Sequence, residues 1–280
     1  MNLRRLLRPA AKTAQAILRW RRLNFEDAPP IFGNSKPKSG SHLLLQVLAG
    51  ICQIAPYTYV IAEPVRTIMK DGRRKTKDEI LEELKRIPQG VIGWGYVEAS
   101  PENAKFLCQP GRVNYFIYRD PRDLLVSQVF FATDMYEDHG MHAYYNSLPD
   151  FDERLKVAIT GIDRDGLRMV NVKQRYEGVF QWLEQNNVLC IRFEDLINNR
   201  AATLHAMLDE VEKTGYAVPI AREKALPILM QAIQPKKSRT FRSGKSGTWK
   251  EHFKEEHKKL FKDVARDLLV RLGYEKDSDW

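Results

Sequence analysis

The residues best suited to chemistry in this chain are those of Pro37-Lys38-Ser39-Gly40-Ser41-His42. They stand between Ile31-Phe32-Gly33-Asn34-Ser35 and the apolar run Leu43-Leu44-Leu45-Gln46-Val47-Leu48, an order that predicts strand, tight loop, helix. Such a loop points backbone N–H groups and the positive end of a helix at one spot, which suits a phosphate or a sulfate. Lys38 adds a full positive charge. A helix start capped by the hydroxyl of Ser39 or Ser41, with no ligand, fits the same pattern. The spacing is not the G-x-x-x-x-G-K-[ST] of nucleoside-triphosphate loops, because Lys38 precedes Gly40 and follows a proline. Gly244-Lys245-Ser246 fails too, with Arg239 where that pattern needs glycine.

A second cluster follows Val113-Asn114-Tyr115-Phe116-Ile117-Tyr118, an aromatic and branched run that reads as a strand. Asp120 can cap a helix opened by Pro121, so Arg119 sits at the strand's carboxyl end and Leu124 to Phe130 are helical. Ser127, eight residues after Arg119, lies about two helical turns along, within reach of the same anion if the loop folds back. Arg119 can equally pair with Asp123 on the surface. The third cluster, Phe241-Arg242-Ser243-Gly244-Lys245-Ser246-Gly247-Thr248-Trp249-Lys250-Glu251-His252-Phe253, is a glycine-broken basic loop running into an aromatic and a helix. It can close over an anion with backbone and guanidinium donors, or remain solvated.

Together the three clusters resemble the sulfotransferases that use 3′-phosphoadenosine 5′-phosphosulfate (PAPS). Pro37-Lys38-Ser39-Gly40-Ser41 is similar to that family's loop for the 5′-phosphosulfate, and Arg119 with Ser127 to its element for the 3′-phosphate. The stretch from Arg242 to Phe253 is similar to its closing R-K-G-x-x-G-D-W-K-x-x-F motif, with departures at Ser243 and Thr248. The resemblance implies that Lys38 faces the leaving oxygen and that Ser39, Gly40, Ser41 and His42 hold the 5′ end. It gives Arg119, Ser127, Arg242, Ser243 and Gly244 to the 3′ end, and it implies no obligatory metal. The product would be adenosine 3′,5′-bisphosphate (PAP), and the acceptor a hydroxyl or amine of an alcohol, glycan or glycolipid.

Three further positions depart from the resemblance. Many members have a histidine base where this chain has Tyr96, in Gly93-Trp94-Gly95-Tyr96-Val97-Glu98. A phenol with an ordinary pKa near ~10 is a poor base at neutral pH, and Glu98 is the substitute nearby. Phe193 stands where a tyrosine often lies against the nucleotide, keeping the ring without the hydroxyl, and Leu43 stands where many members have tryptophan. Two other readings use the same residues. One is a small-molecule kinase, which would need triphosphate-loop spacing and a magnesium carboxylate; the other is a PAPS-binding protein impaired at Tyr96.

Positioning these clusters requires an α/β fold. Strands near residues 30–34, 90–95, 113–118 and 188–193, with helices between them, predict a single domain with a mainly parallel sheet flanked by helices and its ligand at the strands' carboxyl ends. Thr76-Lys77-Asp78-Glu79 is a capping box, and Ser100-Pro101-Glu102 opens another helix. Residues 133–165 mix acids, histidines and aromatics, as an acceptor lid or surface loop would. Asp138, His139 and His142 in that stretch complete no familiar ligand set.

At 280 residues, 43% hydrophobic, the chain can bury a large core. Its formal charge of +9 is spread over the tail, Arg73-Arg74-Lys75, Lys236-Lys237 and the last helices, which argues against a nucleic-acid partner. Cys52, Cys108 and Cys190 are scattered in apolar runs, as reduced core thiols are. Absence of a membrane-length apolar run and of a secretion signal predicts a cytoplasmic protein. Residues 1–28 read as a basic amphipathic segment ahead of a domain at 29–280. Within residues 1–22 an apolar stripe is flanked by arginines, which suits either an anionic membrane surface or packing on the domain.

Overall fold

The computed structural model describes residues 14–58, 60–61, 63–69, 71–164, 166–237 and 244–280. Residues 14–20 form a first helix (α1). Then come β1 (Ile31–Ser35), α2 (Ser41–Ile54), β2 (Val65–Arg66), α3 (Lys77–Lys85), β3 (Ile92–Tyr96), α4 (Pro101–Leu107) and β4 (Val113–Tyr118). The chain continues through α5 (Pro121–Phe130), α6 (His142–Ser147), α7 (Phe151–Thr160), β5 (Ile162–Arg164), β6 (Leu167–Met169) and α8 (Val172–Leu183). It ends with β7 (Leu189–Arg192), α9 (Phe193–Asn198), α10 (Arg200–Glu212), α11 (Arg222–Ala232), α12 (Glu255–Ala265) and α13 (Leu268–Arg271).

Two compact units emerge. The first comprises residues up to Tyr118 and Trp182–Pro235. Its sheet has the order β2-β3-β1-β4-β7, with every pairing parallel. Strands buried on both faces favour the apolar runs seen in Ile31–Ser35 and Val113–Tyr118, both wholly buried. One core joins the strands to α2, α10 and α11 through Ile31, Val47, Leu48, Tyr115, Leu208 and Leu229. The Tyr115 hydroxyl inside it donates to the Met207 carbonyl at 2.7 Å. The capping box at Thr76 forms as the sequence predicts, with its hydroxyl accepting from Glu79 N and the Glu79 carboxylate from Thr76 N. The four expected strands lie within two residues of their expected places. The two-residue edge strand β2 is an addition.

Asn34 joins the carboxyl ends of β1 and β3. Its Nδ2 donates to the Val97 carbonyl and its Oδ1 accepts from Val97 N, both at 2.9 Å, and the indole of Trp182 donates to the same carbonyl. A buried side chain satisfied on both polar atoms fixes how β3 leaves the sheet.

The second unit comprises Arg119–Gln181 and Lys236–Trp280. Asp120 accepts from Arg122 N and Pro121 opens α5, as predicted. The Phe131–Met135 turn is π-helical, and residues 133–165 hold α6, α7 and half of the antiparallel β5–β6 hairpin. His139 Nδ1 accepts from Met141 N, and His142 Nδ1 lies 2.8 Å from the Ala132 carbonyl. No group of three metal-ligating side chains occurs among the described residues. The three cysteines are free thiols.

Candidate active site

In the first unit, β1 runs into the loop at Lys36. Lys38 adopts φ 69°, left-handed for a residue with a Cβ, and Gly40 adopts φ 101° as the N-cap of α2. A Cβ on Gly40 would meet Phe193 at 2.6 Å and Ile117 at 3.1 Å, so glycine is required on both counts. Phe193, the first residue of α9 and not the last of the strand, is thus the floor of the loop. The capping alternative does not form: neither Ser39 nor Ser41 accepts a cap hydrogen bond, and the Gly40 carbonyl takes the amides of Leu43 and Leu44. Among the described residues nothing accepts from the amides of Gly40, Ser41 and His42. Successive open amides at a helix N-terminus, with Lys38 beside them, form a concavity for an anion.

His42 is exposed on the first turn of α2. Partial desolvation and, secondarily, the Lys38 ammonium both lower its pKa below the usual imidazole value, so it is neutral near pH 7. The Ser41 hydroxyl lies 3.2 Å from the Tyr96 phenol, which brings Tyr96 to the loop. Glu98 is held by the Arg74 guanidinium at 2.9–3.1 Å, and its amide donates to Thr67 Oγ1. Its two carboxylate oxygens are therefore engaged.

In the second unit Arg119 is buried beside Asp123, at 3.6 Å. The surface pairing considered from sequence is replaced by a buried one, because Asp123 has other work. It accepts from Gly247 N at 2.7 Å, Thr248 Oγ1 at 3.0 Å and Trp249 N at 2.8 Å. The Arg119 guanidinium donates to the Lys245 carbonyl at 3.2 Å, and the Tyr176 hydroxyl donates to the Arg119 carbonyl at 2.7 Å. The start of α5 and the 244–249 turn are thereby one structure. Ser127 is half-buried two turns along α5. Gly244 has φ 61°, while Arg242 and Ser243 lie outside the described residues.

Arg122 locks the same unit. It is stacked 3.8 Å from the Trp249 ring and 4.7 Å from that of Trp280, and paired with Asp120 and Glu275.

A family model described as the sulfotransferase domain matches residues 115–273, more than half of the chain. The chain belongs to the sulfotransferase domain family. Comparison with curated proteins finds no match. Among solved structures, mouse sulfotransferase SULT7A1 complexed with PAP is similar at TM-score 0.57 and 19% identity, covering 86% of this chain and 85% of the other. Retinol dehydratase with androsterone and inactive cofactor PAP is similar at TM-score 0.55 and 15% identity, over 92% and 85%. Its complex with retinol and PAP gives 0.57 and 14%, over 92% and 86%. These likenesses show a shared fold.

Two residues of this sulfotransferase escaped the sequence, and one contact set did. Asn34 sat unremarked in a strand, and Asp123, read there only as a partner of Arg119, bonds to residues more than a hundred positions away, which no local pattern reveals. Arg66 belongs to a strand too short to carry periodicity.

Proposed function

We propose that this sulfotransferase moves the sulfuryl group of PAPS to a hydroxyl of an alcohol, glycan or glycolipid acceptor, releasing PAP. The observation that supports it best is the loop after β1: three consecutive amides without acceptors among the described residues, a lysine in left-handed conformation, and a glycine floored by Phe193. That donor set fits the oxyanions of a phosphosulfate. Pro37, Lys38, Ser39, Gly40, Ser41 and His42 serve the 5′ end. Arg119, Ser127, Arg242, Ser243 and Gly244 serve the 3′-phosphate.

In the transfer, a bond forms between the acceptor oxygen and sulfur as the bond from sulfur to the 5′-phosphate oxygen breaks. The charge left on that oxygen is what Lys38 is placed to meet. The transition state is loose, so positioning and fixed positive donors outweigh base strength. Tyr96, bonded to the loop through Ser41, orients the acceptor hydroxyl. Glu98, held by Arg74, receives its proton. Ile17, Leu18 and Leu23, exposed among Arg19, Arg21 and Arg22, support contact with an anionic membrane surface and hence a lipid-soluble acceptor.

The test is binding and turnover together. PAP should bind more tightly than ADP, with or without magnesium; preference for ADP with magnesium would favour a kinase. Lys38→Ala should cut turnover of labelled PAPS by about a hundredfold, the loss typical of one transition-state donor. Glu98→Gln should lower kcat while sparing PAP affinity. Equal rates would return the proton to Tyr96.

A further inference from the structure

Edge strand β2 and the chain after it wall a cleft of about 500 Å³, large enough for most of a small organic molecule. Ile61, Pro64, Val65 and Met69 give it apolar sides. The walls are held in place. Ile61 is tied to β3 through the Ile92 carbonyl and the Trp94 indole. The Thr67–Lys75 turn closes by Lys75 N to Thr67 O and Met69 N to Arg73 O. It is pinned outward by Arg74 to Glu98 and Lys75 to Glu83.

Arg66 is the distinctive wall residue. The β2–β3 register sets it opposite Tyr96, with its guanidinium 5.1 Å from the Tyr96 ring centroid. The following cations Arg73, Arg74 and Lys75 each pair with a glutamate: Glu79, Glu98 and Glu83. Arg66 has no carboxylate partner among the described residues, although Glu63 and Asp71 line the same cleft from exposed positions and Glu83 lines it paired with Lys75. A half-buried guanidinium left with only a π-face keeps its planar fork of donors for a carboxylate. The Tyr96 phenol, just outside the cleft's lining, lies 3.2 Å from the Ser41 hydroxyl of the loop.

We propose that this cleft is the acceptor site, and that it selects an apolar molecule carrying a carboxylate and a hydroxyl a few bonds apart at one end. The apolar body lies in the cleft, Arg66 takes the carboxylate, and Tyr96 turns the hydroxyl toward the loop. Because Arg66 stacks on the ring that touches the loop, anion and hydroxyl must share one end of the acceptor. This rests on the sulfuryl-transfer reading and names its substrate class.

The probes are a β-hydroxy fatty acid and the diol of equal chain length, titrated calorimetrically without nucleotide into wild type, Arg66→Gln and Arg66→Lys. Wild type should bind the acid at least roughly tenfold more tightly than the diol, the return on one charge-assisted bidentate pair. Arg66→Gln should abolish that preference and Arg66→Lys keep part of it, with thermal unfolding unchanged in both. With PAPS, wild type should then place sulfate on the β-hydroxyl, with a lower KM for the acid than for the diol. Equal binding of acid and diol, a preference that survives Arg66→Gln, or a bound acid that is never sulfated would each overturn the proposal. PAP titrated into the same three proteins separates the two readings. Binding of PAP without an Arg66-dependent preference sinks the acceptor class alone, and an Arg66-dependent preference without PAP binding sinks the nucleotide reading.

Discussion

His42 shows how a single residue can report on the ligand beside it. Desolvation and the Lys38 charge hold its pKa below the ordinary value, so in the free protein it stays mostly neutral down to a pH below ~6.5. An anion bound at the loop reverses the balance by attracting the imidazolium, and the pKa rises. Between the two pKa values, binding takes up a proton, so this residue makes PAP affinity increase as pH falls. Protonation of the nucleotide's own phosphates works the other way, and comparison with His42→Asn isolates the imidazole. Calorimetry near pH 6 in buffers of different ionisation enthalpy should show proton uptake in wild type that is absent from His42→Asn. Identical uptake in both would remove His42 from the 5′ site. The sequence revealed the loop's composition, since lysine, glycine and serine between a strand and an apolar helix are a local signal. It could not reveal His42's protonation or that Arg66 has no carboxylate partner among the described residues, because both depend on what packs around them.

Elements were legible where their cause is local. The Thr76 capping box, Pro121 behind Asp120, and the buried strands before the loop and before Arg119 follow from a few adjacent residues. The 244–249 turn did not, because its conformation is imposed by Asp123 of α5 through the amides of Gly247 and Trp249 and the hydroxyl of Thr248. Asp123→Ala would strand those buried donors at about 1–3 kcal/mol each. It would also loosen the turn whose Lys245 carbonyl holds the Arg119 guanidinium. We expect a lower unfolding midpoint and PAP affinity weakened by about tenfold or more, with Asp123→Asn intermediate because its Oδ1 can still accept. Calorimetric PAP titration and thermal unfolding measure the two effects. A destabilised variant that still binds PAP normally would separate the turn from the 3′-phosphate site.

At the scale of the whole molecule, the positive charge and the amino-terminal segment act together. Residues 1–13 lie outside the described residues, and helix α1 packs on the domain, one of the two alternatives drawn from the sequence: Trp20 is buried, its indole donating to the Cys52 carbonyl at 3.3 Å, and Arg19 donates to the Gln53 carbonyl. On the same helix Ile17 and Leu18 remain 49% and 69% exposed. The docked ring fixes the helix on the first unit, so the outward pair is presented as a rigid patch beside exposed Arg21 and Arg22. Inserting such side chains into a bilayer interface is worth up to about 1.5–3 kcal/mol each, and anionic headgroups add about 1 kcal/mol per nearby arginine. Cosedimentation with phosphatidylserine vesicles should therefore exceed that with neutral vesicles and weaken with salt. Ile17→Ser with Leu18→Ser should reduce it by at least roughly tenfold without altering the unfolding midpoint, since neither residue is packed. Trp20→Ala should lower the midpoint, because it empties a buried site. Equal sedimentation of wild type and the double serine variant would mean that α1 only braces the domain, leaving the excess charge to the nucleotide alone.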